Sequence, residues 1–226
     1  MIEILYEDNH LIAVNKKPSD LSQSDKTGDI ALDSEVKKYL AEKYKKTGDV
    51  FLGVVHRLDR PVGGVMLFAR TSKALERMNE IFRTREVRKT YVAVVSERPP
   101  DDEADLTHFL KKNEKQNKTY VYDTEVKGSK RATLSYRLAA RSDRFYLLEI
   151  ELHSGRHHQI RAQLARIGCP VKGDLKYGYP RSNEDGSISL FARKLEFTHP
   201  VKKEKVMITA RFPNGDIWKH FINADV

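Results

Sequence analysis

The sequence predicts an α+β fold built on a mostly antiparallel mixed sheet flanked by helices. Two observations predict it. Short β-prone runs outnumber segments with helical spacing, and those runs fall in hairpin-like pairs instead of alternating regularly with helices. The composition supports a packed core: of 226 residues, 39% are hydrophobic and 32% charged, globular values on the polar side. There is no internal repeat and no low-complexity tract.

The elements follow in order. Residues 3–6 and 11–15 are β-prone runs separated by Glu7-Asp8-Asn9-His10, a hairpin-like start. Residues 18–28 read as a loop rich in Ser, Asp and Lys. Leu32, Val36, Tyr39 and Leu40 share one face, which predicts a helix over about 31–45. Residues 51–55 read as a strand leading into His56. Residues 65–69 read as another, with Gly63-Gly64 as the turn before it. Ser72 is the expected N-cap of a helix whose apolar face is Leu75, Met78 and Phe82. A strand over 90–95 carries Tyr91. Residues 97–105, with Pro99-Pro100 and several acids, read as a loop. Residues 111–118 are polar and aperiodic, which predicts another exposed loop. Strands follow near 131–140 and 145–152. Gly155 turns the chain, and Ile160, Leu164 and Ile167 mark a helix that Gly168 caps. Strands over 190–197 and 205–212 close the chain. No composition break supports a boundary, so one domain over 1–226 is expected.

The charge and cysteine content narrow the function. Net charge is +9 and pI about 9.4, a balance that attracts polyanions, of which nucleic acid is the commonest. The basic residues are spread along the chain, with no isolated basic arm. The single cysteine, Cys169, excludes an internal disulfide framework. The opening residues lack a signal-peptide pattern, and no apolar run approaches a membrane span. A cytoplasmic protein with no membrane association is expected.

Three segments carry candidate chemistry. The first is Val55-His56-Arg57-Leu58-Asp59-Arg60-Pro61-Val62-Gly63-Gly64-Val65. Here a strand ends in a polar cluster bounded by a stiff proline and a permissive glycine pair. Such junctions present reactive side chains on a rigid base. A charged surface turn with Asp59 paired to a neighbouring arginine fits the same residues. The second is Leu152-His153-Ser154-Gly155-Arg156-His157-His158-Gln159-Ile160-Arg161-Ala162-Gln163-Leu164. A helix start there suits anionic groups. Arg161 flanks the apolar face and could point inward towards a carboxylate, whereas Arg166 reads as surface. The third is Arg88-Lys89-Thr90-Tyr91-Val92-Ala93-Val94. On residue type alone, Tyr91 reads as a core tyrosine with its hydroxyl reaching out.

Together, in this order and spacing, the segments resemble the RluA-type branch of the pseudouridine synthases. The resemblance rests on His56-Arg57-Leu58-Asp59 before a glycine-containing turn, on Lys89-Thr90-Tyr91, and on Gly155-Arg156-His157-His158-Gln159-Ile160-Arg161. Gly168-Cys169-Pro170-Val171-Lys172-Gly173-Asp174-Leu175-Lys176-Tyr177-Gly178 matches a further pattern of that branch. The resemblance runs from about residue 3 to 212. Val62-Gly63-Gly64 stands where Thr-Ser-Gly is common, and Ser154 where Thr is usual. The stretch Pro18-Ser19-Asp20-Leu21-Ser22-Gln23 is more polar than its counterpart.

The resemblance implies a pseudouridine synthase catalytic fold with a central active-site cleft, without the small RNA-binding module that precedes it in many relatives. It implies that uridines in structured rRNA or tRNA are isomerised without cofactor or metal. Asp59 is then the catalytic carboxylate, with Arg161 as its partner. Tyr91 stacks on the uracil, and Arg57 fills the space left by a flipped nucleotide. RNA is the expected partner, with no obligate protein partner and a monomeric state. Two other readings are open to the residues. A catalytically silent RNA-binding protein would share the fold and charge. A metal-dependent hydrolase would use the cluster of His153, His157 and His158.

Overall fold

The computed structural model describes residues 2–23 and 31–226. The chain forms two compact units, Met1–Val87 with Lys194–Arg211, and Arg88–Arg193 with Phe212–Val226. Of the polar loop expected over 18–28, residues 24–28 lie outside the described residues.

The first unit begins with β1 (Glu3–Glu7), β2 (Leu11–Lys16), α1 (Leu32–Lys43), β3 (Gly53–Val54), β4 (Gly63–Ala69) and α2 (Ser72–Arg83). Strand β1 pairs with β2, β2 with β4 and β3 with β4, all antiparallel. Strands β2 and β4 are covered on both faces, so their sequences are near-continuous apolar runs. Ile12, Val14, Met66 and Phe68 form the floor on which α1 lays Leu32, Val36 and Leu40. The four-residue spacing puts those three on one stripe. Each such side chain contributes about 1.5–3 kcal/mol when fully buried.

Three sequence expectations change here. Thr71, not Ser72, caps α2: its Oγ1 accepts the Ala74 amide at 3.2 Å. Either hydroxyl residue suits a cap, so only the backbone distinguishes them. The run 51–55 makes a ladder only at Gly53–Val54. Gly63 and Gly64 are not a turn but the first residues of β4. Gly64 pairs with Lys16 at a φ of +117°, a conformation that a side chain would strain.

The second unit contains β5 (Arg88–Val95), β6 (Glu103–Asn113), β7 (Lys118–Tyr122), β8 (Lys130–Arg141), β9 (Tyr146–Leu152) and α3 (Gln159–Arg166). Its strands pair antiparallel in the order β5-β9-β8-β6-β7. The loop expected over 97–105 is shorter, because β6 starts at Glu103. The exposed loop expected over 111–118 is mostly the end of one hairpin. Lys111–Asn113 finishes β6 and Lys118 opens β7, leaving a four-residue turn in which Asn113 Oδ1 accepts the Gln116 amide at 3.2 Å. Beyond Leu110 the ladder has no apolar face, so no alternation marked it as strand. As expected, Gly168 closes α3: it follows the last helical residue Arg166 and the C-cap Ile167 at a φ of +81°, and the Gly168 and Cys169 amides bond back to Ala165 and Leu164.

The chain returns to the first unit within β10 (Leu190–Thr198), which pairs antiparallel with β11 (Lys205–Thr209). It ends in the second unit with α4 (Asp216–Lys219). The ladders described above are antiparallel and the helices lie among them in sequence, which makes the fold α+β. Among the described residues, no helix is long and apolar enough to cross a membrane.

Asp8 ties the first hairpin to the segment after β10. Its carboxylate accepts the amides of His10 and Leu11, each at 2.8 Å, and the Tyr6 hydroxyl at 2.9 Å. Lys202 Nζ and His199 Nε2 each lie 3.0 Å from it. His199 is fully buried, and its Nδ1 accepts the Val201 and Lys202 amides, so Nε2 carries the proton. Burial raises the Asp8 carboxyl, but the two amides, Lys202 and Tyr6 outweigh it and hold it below the usual carboxylate range. A carboxyl depressed by folding stabilises the protein above its unfolded value of about 4, and that contribution disappears as pH falls through the lower folded value. Asp8→Ala should therefore lower stability by about 1–3 kcal/mol at neutral pH. The gap to wild type should narrow in denaturation curves recorded progressively below pH about 4.

Candidate active site

Asp59 sits in the irregular segment between β3 and β4, half-buried between exposed Arg57 and Arg60. That segment is fastened from several sides. Leu58 is buried and its backbone is doubly held: Ser22 Oγ donates to Leu58 O at 2.8 Å and accepts Leu58 N at 3.2 Å. His56 is anchored to β4, with its Nε2 accepting the Leu67 amide at 3.1 Å and its ring stacked on Phe82 at 5.3 Å. The Val62 amide donates to Asp59 O at 3.0 Å, a tight turn through Arg60-Pro61. Ser19 N donates to Arg60 O at 2.9 Å, and Arg60 Nε donates to Ser19 O at 3.2 Å. Ser19, through its backbone, and Ser22, through its hydroxyl, thus clasp the Asp59 segment.

Lys16, at the end of β2, completes the clasp, and the sequence reading assigned it nothing. It is fully buried. Its Nζ donates to Val62 O at 2.7 Å and to Lys17 O and Arg60 O at 3.1 Å, and it reaches Asp59 O at 3.4 Å. Burial pushes its ammonium down to about 8, opposed by the charges of Asp20 and Asp59 and assisted by Arg60. The only sequence signal was a lysine continuing the apolar run Leu11-Ile-Ala-Val.

The second unit holds Tyr91 and Arg161. Tyr91 is half-buried on β5 opposite Ile150, on the face it shares with fully buried Ala93 and Val95. Arg161 is buried on α3 and pairs with buried Asp174 through both edges of one fork, Nε to Oδ2 at 2.6 Å and Nη2 to Oδ1 at 2.9 Å. The guanidinium lies 5.1 Å from the Tyr177 ring centroid. The Tyr177 hydroxyl accepts the Thr119 amide at 2.8 Å and meets His158 Nδ1 at 3.0 Å. Asp174 and Tyr177 of the Gly-Asp-x-x-Tyr-Gly pattern therefore frame Arg161, a role that spacing alone did not reveal. Gly173, just before Asp174, packs against Asn183. Its φ is +88°, and a Cβ there would lie within 2.8 Å of Asn183.

Gln159 fixes the start of α3. Its Oε1 accepts from Ser154 Oγ at 2.8 Å and from the Arg156 amide at 3.0 Å, while its Nε2 donates to Thr133 O at 3.1 Å. The network needs only a hydroxyl at position 154, and Ser154 supplies it. The neighbouring histidines are engaged within the protein. His157 meets Thr119 Oγ1 at 2.8 Å and Asn117 at 3.1 Å, and stacks on His158 at 3.7 Å. Burial, with the Arg161 charge, drives His158 down to about 3, which keeps it neutral. His153 faces away, towards Ser135 and Glu151. No group of three or more His, Cys, Asp or Glu among the described residues is arranged to hold a metal. Arg166 is half-exposed and pairs with Asp123.

A groove of about 480 Å³ lies along the other side of this sheet, where Thr90, Asp105, Ser135, Glu149 and Glu151 line it. Alternation along β5 turns Thr90 into the groove and Tyr91 away from it. Its lining is mixed in charge, with Arg88 paired to Glu151 and Arg137 to Glu149.

Residues 10–166 match the family model described as RNA pseudouridylate synthase. The tRNA pseudouridine synthase C of Salmonella typhimurium is 32% identical over 93% of this chain and 85% of that protein. The ribosomal large subunit pseudouridine synthase D of Xylella fastidiosa is 32% identical over 94% of this chain, which spans 66% of its length. In fold, the human RNA pseudouridylate synthase domain containing 4 superposes with a TM-score of 0.79 at 22% identity, covering 99% of this chain and 94% of that one.

Removing one member of a buried ion pair leaves the other charge uncompensated. Asp174→Ala should therefore cost about 3–5 kcal/mol, read as a lower denaturant midpoint, whereas Asp123→Ala at the exposed Arg166 pair should leave the midpoint essentially unchanged.

Proposed function

The chain belongs to the RNA pseudouridylate synthase family, and from that premise we propose that it isomerises uridine to pseudouridine in transfer or ribosomal RNA, with Asp59 as the catalytic carboxylate. The observation that carries this reading is the clasped Asp59 segment: a carboxylate-bearing loop with buried anchors at Ser22 and Lys16, lying within the matched region. A loop that only turned the chain at the surface would not need a buried lysine and a buried serine to hold it.

The reaction conserves atoms. The bond from uracil N1 to ribose C1′ breaks, the base turns, and C5 bonds to C1′. The proton displaced from C5 leaves, and N1 gains one. No electrons are exchanged, so the balance calls for no redox cofactor. Asp59 acts on the sugar in its ionised form. Arg161, oriented by its fork onto Asp174, serves in this reading as the partner of Asp59. Tyr91 stacks on the uracil during its rotation, and Arg57 fills the stacking position of the extruded nucleotide. The surplus of basic side chains binds phosphates and makes affinity salt-dependent. RNA is the only obligate partner in this reading, and the protein works as a cytoplasmic monomer.

The test follows the C5 hydrogen. Bulk tRNA and rRNA labelled with tritium at uracil C5 should release tritium with wild-type protein and none with Asp59→Ala. Tyr91→Ala should bind RNA and lose most of the release. Release by Asp59→Ala at the wild-type rate would refute the assignment of the carboxylate.

A further inference from the structure

The sheet of the second unit changes character along the face turned away from α3. Side chains on β6 alternate. His108 meets Gln163 of α3, so Glu103, Asp105, Thr107, Phe109 and Lys111 lie on the opposite face. In that order, acids give way to an aromatic ring and then to a lysine. Tyr122 pairs with Phe109 and Tyr120 with Lys111 in the ladder, which puts both tyrosines on this face. Arg131 of β8 lies across from Phe109 on its other side. The two tyrosines are 40% and 37% exposed. The Tyr120 hydroxyl donates to Gln116 Oε1 at 2.5 Å, which steadies its ring. Residues 109–133 carry seven Lys or Arg against three Asp or Glu, so nearly half of the net charge of +9 sits on this hairpin and the start of β8.

We propose that Phe109, Tyr120 and Tyr122, ringed by Lys111, Lys118 and Arg131, form a stacking platform for a single-stranded segment of the RNA, outside the site that receives the uridine; this rests on the substrate being RNA, not on the role of Asp59. Exposed aromatic faces on a sheet stack bases with little regard to sequence, and cations beside them hold the phosphates. Alternate residues on one strand stand about 6.5–6.8 Å apart. That is roughly twice the 3.4 Å rise of one strand in a duplex, so the two tyrosines fit bases of an extended strand and not a stacked one. Strand β7 is an edge of the sheet, so RNA reaches this face by passing round that edge. Lys118 marks the way. Its Nζ lies 5.9 Å from the Tyr120 ring centroid and 5.4 Å from that of Tyr177, and Tyr177 carries Arg161 at 5.1 Å. Cations therefore run from the proposed partner of Asp59 to the outer face. At the other end of that face Arg88 and Arg137 are neutralised by Glu151 and Glu149, which leaves the hairpin as the end that attracts phosphate.

The experiment measures binding of a labelled oligoadenylate of about twelve nucleotides, within the usual span of such sites, and of an abasic ribose-phosphate strand of equal length. Oligoadenylate has no uridine to engage the reaction site. Wild type should bind the abasic strand about tenfold or more weakly than the oligoadenylate. Tyr120→Ala with Tyr122→Ala should lose about tenfold or more in oligoadenylate affinity, whereas Tyr120→Phe with Tyr122→Phe, which keeps the rings, should stay within about twofold of wild type. Lys111→Gln with Arg131→Gln should flatten the dependence of log affinity on log salt by about 1.4, the effect of two lost phosphate contacts on a single strand. On bulk RNA tritiated at uracil C5, the paired Ala variant should raise KM and leave kcat within about twofold of wild type. Equal oligoadenylate affinity in wild type and the paired Ala variant, or equal affinity of wild type for the two strands, overturns the platform; a face that serves a protein partner instead would give that result. Should the paired Ala variant fail to fold by circular dichroism, ultraviolet crosslinking of oligoadenylate to wild type decides: adducts on Tyr120 or Tyr122 are expected, and adducts only elsewhere overturn it. Intact oligoadenylate binding without tritium release by wild type would defeat the isomerase reading and leave the platform standing.

Discussion

A buried ammonium is costly to take out of water, by several kcal/mol after relaxation, and it persists only where acceptors replace the lost hydration. At the end of β2 those acceptors are the carbonyls of Lys17, Asp59, Arg60 and Val62. The cost of burying Lys16 is thereby coupled to the conformation of the one loop that carries the candidate carboxylate. Neighbouring features follow from the same demand. Gly64, paired with Lys16 in the ladder, takes a positive φ at the start of β4. Ser19 and Ser22 grip the loop from the other strand end. The apolar packing of α1 on β2 and β4 makes the floor from which Lys16 emerges.

The second unit solves a related problem with side chains. Helix α3 buries Gln159, Arg161 and Gln163 as well as Ile160, Ala162 and Leu164. Buried polar groups on that scale are tolerated only when each finds partners. Gln159 spans the Ser154–Arg156 turn, and Arg161 is forked onto Asp174. Gln163 Nε2 donates towards Leu106 O at 3.3 Å and lies 2.9 Å from His108 Nδ1. Gln163 Oε1 has no hydrogen-bond partner among the described residues, and a helix that departs from the ordinary apolar stripe in this way marks a place where function has overridden packing.

How much of this was readable in the sequence differs by element. Strands β2 and β4 and helices α1 and α2 were visible because burial on one or both faces leaves an apolar pattern. The tip of the β6–β7 hairpin was not, because Lys111, Lys112 and Lys118 lie beyond the apolar pair Leu110–Val121. Asp59, Tyr91 and Arg161 were singled out by family spacing rather than by periodicity. Asp174 and Tyr177 stood in a recognised pattern, but their part as the frame of Arg161 depends on a pairing across 13 residues of chain that no local rule predicts. Lys16 was invisible for a simpler reason. A lysine at a strand end is normally solvated, and only the positions of distant carbonyls show that this one is not.

The account stands most directly on the isomerisation itself. The decisive measurement maps pseudouridine across tRNA and rRNA from cells lacking the gene, complemented with either wild type or Asp59→Asn. At least one uridine should lose its modification on deletion, regain it with wild type, and stay unmodified with Asp59→Asn produced at the same level. Restoration by Asp59→Asn, or a map unchanged by the deletion, would contradict the central claim.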